Sequence, residues 1–320
     1  MSKQDLSLNT NQLMGGLWGL LLGDAVGVPY EFNKPAQLPQ LEHIDMQPPN
    51  GFKRTYTKTP VGTWSDDGAT ALALLDSLLD CGTFNADDFG QRLVDWYNNG
   101  AYAVDQQVFD VGIQTAQAIR QIEQGMPSLY AGGTDEHANG NGSLMRALAV
   151  VLWYRGDDAG LIELAEQQSR PTHAHRRSRV CCALYCLWAR YIASGDAAAW
   201  QTAIKILRQH YQTDDIATEQ LEFFIRPDDD IIGTGSGYVV DSLRSAKQIF
   251  DLQLDFKSSI KAAIALGDDT DTTACIAGGV IGLREGFEQL PAEWLSQLRG
   301  EDILLPIWDK LAKRHTLMAS

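Results

Sequence analysis

LMGGLWGLLLGDAVGV, residues 13–28, is apolar enough to pass for an export signal or a membrane span. No basic segment precedes it, since Lys3 is followed closely by Asp5. Asp24 also interrupts the run short of the ~20 residues a span requires. The segment therefore reads as a buried helix, and the rest of the chain reads the same way. Apolar residues at three- and four-residue intervals, as in Leu72, Leu75, Leu78 and Leu79, recur along most of its length. Helices are expected over residues 11–26, 69–79, 86–97, 108–124, 144–153, 159–168, 176–192 and 197–211. Five more are expected over 238–250, 257–266, 273–287, 291–298 and 302–313. Pro291 suits a first helical turn. No series of alternating β-branched strands with hairpin turns is present.

Long Pro/Gly-rich connections fall at residues 29–63, 125–142 and 225–237, and loops of this length tend to carry function. No repeat, flexible linker or charge run divides the chain. The expectation is one all-α domain over residues 13–320, preceded by an N-terminal arm over residues 1–12. A chain of 320 residues can bury a large core without staples.

Lys and Arg number 26 against 41 Asp and Glu, a net charge of −15. Such a field repels phosphate backbones and anionic membranes, which argues against a nucleic-acid or membrane partner. An anionic ligand would need local cations, metal ions or backbone amides. The five cysteines, Cys81, Cys181, Cys182, Cys186 and Cys275, are an odd set without zinc-ribbon spacing. They fit helix packing in a reducing cytoplasm. A monomer is expected.

Two acidic turns carry the chemistry. Gly62-Thr63-Trp64-Ser65-Asp66-Asp67-Gly68 precedes one expected helix, and Gly267-Asp268-Asp269-Thr270-Asp271-Thr272-Thr273 precedes another. Each taken singly reads as a helix cap, because Ser and Asp satisfy free amides at the positive end of the dipole. Three consecutive oxygen-bearing side chains exceed what a cap needs. Side chains two apart in an extended or turn segment point the same way, so Asp269 and Asp271 can converge on one cation. Adjacent carboxylates repel unless a cation separates them or they take up protons. Two such clusters together favour a shared metal site. Oxygen ligands without a His/Cys set suit Mg²⁺ or Mn²⁺ rather than Zn²⁺. Six or more such ligands suggest two ions, about 3.5–4 Å apart, which can clamp a pair of oxygens.

Two glycine loops accompany these turns. Asn139-Gly140-Asn141-Gly142-Ser143 could expose amides to phosphate, and so could Gly233-Thr234-Gly235-Ser236-Gly237-Tyr238 at a helix start. Both also read as ordinary turns. No Lys follows in Walker fashion, which disfavours nucleotide triphosphate hydrolysis. His173 and His175 stand two apart without further His or Cys, and read as loop polarity or ligand hydrogen bonding.

In combination these residues resemble the ADP-ribosylglycohydrolase family, from about Leu13 to Arg299. GLLLGDAVGVPYEF, with Asp24 and Glu31, is similar to the family's Gly-Asp-Ala opening. TWSDDG resembles its Trp-Thr-Asp-Asp-Thr motif, and NGNGSLMRALAV its Gly-Asn-Gly element followed by Met-Arg. RPTHAH, GTGSGYVVDSLRSA and LGDDTDTTACIAGGVIGLREG resemble its Thr-His, Gly-Tyr-Val and Asp-Thr-Asp-Thr segments. All six occur in the family's order.

The resemblance implies an orthogonal all-helical bundle around a central binuclear Mg²⁺ or Mn²⁺ site. The implied ligands are Ser65, Asp66, Asp67, Asp269, Asp271 and Thr272. Glu31 would serve at the catalytic water, with Asp67 and Asp269 in the catalytic set. Asn141, Gly142, Ser143 and His173 would line the ribose and diphosphate, with Gly235 in the second glycine loop and Tyr238 at the adenosine end. Two positions depart from the pattern. Ser65 stands for Thr and keeps the hydroxyl; Gly68 stands for Thr and removes one.

The activity implied is removal of ADP-ribose from a modified protein side chain, arginine first, which would reverse an ADP-ribosyltransferase such as a toxin. Serine-linked or O-acetyl ADP-ribose are the alternative substrates. From a different class comes an immunity protein that binds and occludes the transferase, through the N-terminal arm or the Asp228-Asp229-Asp230 loop. A metal phosphohydrolase would keep the ions and attack phosphorus, against the Thr-His and Gly-Tyr-Val matches.

Overall fold

Glycine recurs every fourth residue along the first helix, at Gly15, Gly19, Gly23 and Gly27, and these positions share one face. The computed structural model describes residues 8–230 and 232–319. Its α-helices, in chain order, are α1 (Thr10–Gly27), α2 (Asp66–Cys81), α3 (Ala86–Asn99), α4 (Ile113–Glu123), α5 (Leu148–Trp153), α6 (Asp158–Ser169) and α7 (Arg176–Ala193). There follow α8 (Ala199–His210), α9 (Asp215–Glu219), α10 (Val239–Asp251), α11 (Phe256–Ile264), α12 (Thr270–Glu285), α13 (Ala292–Leu295) and α14 (Glu301–Ala319). Among the described residues there is no β-strand, only two isolated bridges. The all-helical, single-domain expectation is met.

The glycine face of α1 lies directly against α12, which runs antiparallel to it. A Cβ on Gly19 would come 2.5 Å from the carbonyl oxygen of Gly278. One on Gly15 would land on Gly282, one on Gly23 on Ala274, and one on Gly27 on Asp271. Only glycine permits backbones this close. Antiparallel contact sets the C-terminal end of α1 beside the N-terminal end of α12, so the 24–31 segment lies next to Asp269 and Asp271. α2 packs on α1, α3 and α5 through buried Leu72, Leu75 and Leu78, and points its N-terminus at the same place. The cysteines of α7 are buried and unpaired, as expected of helix packing.

Several boundaries differ from expectation. α2 and α12 begin three residues early, because Asp66, Asp67 and Asp271 occupy first turns, where the helix dipole favours acidic side chains. α4 begins at Ile113 rather than 108, because Asp110 takes a left-handed φ of 55° that breaks the helix. α5 begins at Leu148 rather than 144, after a run of turns. α9, continued by a π-helical turn over Gln220–Ile225, fills a stretch assigned to no element. Of the expected arm, residues 1–7 lie outside the described residues. Leu8 is buried, Asn9 caps α1 through the Gln12 N–H, and residues 10–12 are helical.

Candidate active site

Asp24, in the last turns of α1, fastens the first helix to the second. Fully buried, its carboxylate accepts the Ser65 N–H at 2.9 and 3.0 Å and the Gly68 N–H at 2.8 Å. These amides stand at the start of α2, where no intrahelical acceptor serves them. Ser65 Oγ caps the helix, accepting from the Asp67 N–H at 3.3 Å and donating to Asp67 Oδ2 at 3.0 Å. Thr272, on the first turn of α12, donates its hydroxyl to the same Oδ2 at 3.2 Å. The two acidic turns, 205 residues apart at this contact, therefore meet.

Asp269 is held from two sides. Its N–H donates to the Gly235 carbonyl at 3.0 Å, and its Oδ2 accepts from Asn141 Nδ2 at 2.7 Å. The carboxylates of Asp24, Asp67 and Asp271 offer oxygens within 4.8 Å of one another, and so do those of Glu31, Asp269 and Asp271. Asp271 belongs to both groups. Three buried oxygens, Glu31 Oε2, Asp67 Oδ1 and Asp271 Oδ2, have no hydrogen-bond partner among the described residues. Orphaned acceptors in an oxygen-only donor set are what a hard divalent cation satisfies. Both clusters can coordinate metal.

The electrostatics point the same way. Burial, with help from Asp110, pushes the Glu31 carboxyl up to about 11. Burial pushes Asp24 up to about 7 despite its amide donors. Burial and neighbouring carboxylates hold Asp66, Asp67 and Asp271 well above the usual carboxylate range. Without a counter-charge this site resists ionisation; a divalent cation reverses the balance.

Above the carboxylates opens a cleft of about 580 Å³, lined by Glu31, Asp66, Asp269 and Thr272 on the acidic side and by Asn141, Gly142 and His173 opposite. His173 is buried against Thr172, and burial together with Arg146 brings its ring down to about 3, so it is neutral. Three expected contact residues stand elsewhere. The Ser143 hydroxyl turns into the core, accepting from Ser169 Oγ at 2.8 Å. Gly235 serves by holding the Asp269 amide. Tyr238 is 38% exposed, and its hydroxyl accepts from Arg177 Nη1 at 3.2 Å.

Two residues escaped the sequence reading. Asp110 lines the cleft beside Glu31 and accepts the Tyr56 hydroxyl at 2.7 Å. Its sequence signal is slight: a carboxylate two residues before Gly112, which ought to have broken the expected helix. Phe32 follows Glu31 with a left-handed φ of 59°, is 60% exposed at the cleft mouth, and donates its N–H to the Asp268 carbonyl at 2.7 Å.

The profile of the ADP-ribosylglycohydrolase family matches residues 6–319. The chain belongs to that family. It is 30% identical over 299 residues to the ADP-ribosylarginine hydrolase Tri1 of Pseudomonas putida (strain GB-1), covering 89% of this chain and 73% of that one. It is 26% identical over 294 residues to the ADP-ribosyl-[dinitrogen reductase] glycohydrolase of Rhodospirillum rubrum, covering 90% of each. A solved structure described as an ADP-ribosylglycohydrolase-related protein complex superposes with a TM-score of 0.74 at 25% identity, over 98% of this chain and 99% of that one. The chain is thus an enzyme of glycohydrolase type, an ADP-ribosylhydrolase in the general sense. Within this ADP-ribosylglycohydrolase, Gly68 has a local reason: a Cβ there would meet Trp64 Cγ and Leu21 Cδ2 at 2.8 Å each.

Proposed function

We propose that this ADP-ribosylglycohydrolase removes ADP-ribose from arginine side chains of modified proteins, using two Mg²⁺ or Mn²⁺ ions. The observation that carries the proposal is the meeting of the Ser65–Asp67 and Asp269–Thr272 turns around three buried, unpartnered carboxylate oxygens. Ser65, Asp66, Asp67, Asp269, Asp271 and Thr272 would hold the ions. When bound, such ions orient vicinal ribose hydroxyls and make a water more acidic.

The remaining chemistry belongs to the chain. Glu31 and Asp110 both line the cleft, and the Asp110 charge adds to burial in keeping the Glu31 carboxyl protonated. Between them they would accept one proton from the attacking water and return one to the departing guanidine, an exchange worth roughly 10²–10⁴ in rate. The bond from C1 of the ribose to the guanidine nitrogen breaks, and the water oxygen bonds to C1. Asn141, Gly142 and His173 would hold the ribose and diphosphate. The paired carboxyls at the cleft suit a guanidinium better than an uncharged serine, and the resemblance to an ADP-ribosylarginine hydrolase supports the same choice.

Mass spectrometry of an arginine-ADP-ribosylated protein, before and after incubation with the enzyme and Mg²⁺ or Mn²⁺, tests the reading. Loss of the modification with release of free ADP-ribose is expected, and Asp269→Ala and Asp271→Ala should abolish it. Normal turnover by either variant, or release of AMP instead, would refute the assignment.

A further inference from the structure

Arg146 is a fully buried cation behind Gly142, a residue that lines the cleft. Its Nε donates to Gln168 Oε1 at 3.0 Å and its Nη2 to the Gln168 carbonyl at 2.9 Å. Nη1 donates to the Gly142 carbonyl at 2.6 Å. Nη2 also donates to Thr172 Oγ1 at 2.8 Å, and that oxygen lies 2.8 Å from His173 Nδ1. An arginine cannot accept, so the Thr172 hydroxyl receives a hydrogen from Arg146 and has its own to give. Its remaining partner among the described residues is His173 Nδ1.

We propose that Arg146 and Thr172 are positioning residues that lock His173 in the tautomer with Nδ1 accepting and Nε2 carrying the proton, presenting an N–H donor to the ligand in the cleft. The opposite tautomer would give the Thr172 oxygen a second donor in place of an acceptor and leave its hydroxyl hydrogen buried without a partner, a cost of the kind that decides buried networks. Nε2 has no partner among the described residues. It lies on the cleft side of the ring, 3.3 Å from where a Cβ on Gly140 would sit, while a Cβ on Gly142 would come 2.7 Å from Cε1. Glycines at 140 and 142 thus leave the donor edge uncovered. Because the ring is neutral, it offers a hydrogen bond without adding a charge, which suits a ribose or diphosphate oxygen already near cations. This role rests on the reading of the cleft as an ADP-ribose site, but the tautomer does not.

Long-range ¹H–¹⁵N correlation spectra of the ligand-free protein report the His173 tautomer directly. The Nε2–H form is expected in the native chain and in Thr172→Ser, and a mixture in Thr172→Val, which keeps the shape and removes the hydroxyl. ADP-ribose affinity measured by calorimetry should fall roughly five- to tenfold in Thr172→Val and recover in Thr172→Ser. An Nδ1–H signal in the native protein, or unchanged tautomer and affinity in Thr172→Val, would overturn the relay. A native Nε2–H signal without any ADP-ribose binding would leave the relay standing and refute the proposed ligand.

Discussion

Asp24 does at the residue scale what no local cap could do: one carboxylate from α1 receives two amides from the start of α2. Asp24→Asn retains the shape and turns one acceptor into a donor facing an N–H. About 1–3 kcal/mol of stability should be lost, measured by urea unfolding, together with metal-dependent activity. Glu31→Gln should lower kcat by roughly 10²–10⁴ while leaving ADP-ribose affinity intact, a split that steady-state kinetics and calorimetry would separate. The pH behaviour follows from Asp24, whose folded-state value of about 7 lies above its ordinary 3.8. The stability associated with its protonated form is complete below about 4 and is lost as pH rises through about 7. In chelator, the melting temperature should therefore fall between pH 4 and 7, and saturating Mg²⁺ should suppress that fall. A melting temperature that climbs through this window in chelator would contradict the assignment. The two acidic turns that meet, around Ser65–Asp67 and Asp269–Thr272, were legible as clustered oxygens at helix starts, a local pattern, whereas the choice of ligands within them rests on the family resemblance. Asp110 was not, because its role arises only where the chain returns to face Glu31.

At the scale of elements, α1 and α12 are the frame of the site. Their glycines remove the side chains that would hold the backbones apart, and the antiparallel crossing fixes where Glu31 and Asp271 stand. Gly23→Val would press its branched Cβ onto the Ala274 carbonyl oxygen. It should cost about 3 kcal/mol or more in denaturant unfolding and weaken metal binding in titration; a variant as stable as the native chain would show that the close approach is dispensable. The apolar character of residues 13–28 revealed a buried helix, but not its partner, since a glycine every fourth residue is equally compatible with several neighbours. Helix existence was readable from periodicity, whereas the starts of α2 and α12 were not, because carboxylates that look like turn residues are stabilised inside a first helical turn. The π-turn over Gln220–Ile225 carried no periodic signal at all. Its fixture is tertiary, with Arg177 donating to Gln220 and lying over the Phe224 ring.

On the scale of the whole molecule, the proposed ligands lie as far apart in the chain as Ser65 and Thr272, so a bound ion would stabilise the folded domain as a whole. Mg²⁺ at about 100 times its dissociation constant should raise global stability by about 2.7 kcal/mol for each ion bound, seen as a single cooperative transition shifted upward, with the shift abolished in Asp271→Ala. The net charge of −15 makes a local cation site the natural means of holding an anionic diphosphate. The most direct measurement is anomalous scattering from crystals grown with saturating Mn²⁺, collected at the manganese edge. Two peaks about 3.5–4 Å apart, between the N-termini of α2 and α12 and within bonding distance of Asp67, Asp269 and Asp271, are expected. No anomalous peak between those helix ends, with the carboxylates turned away from one another, would contradict the metal-centred site on which the chemistry depends.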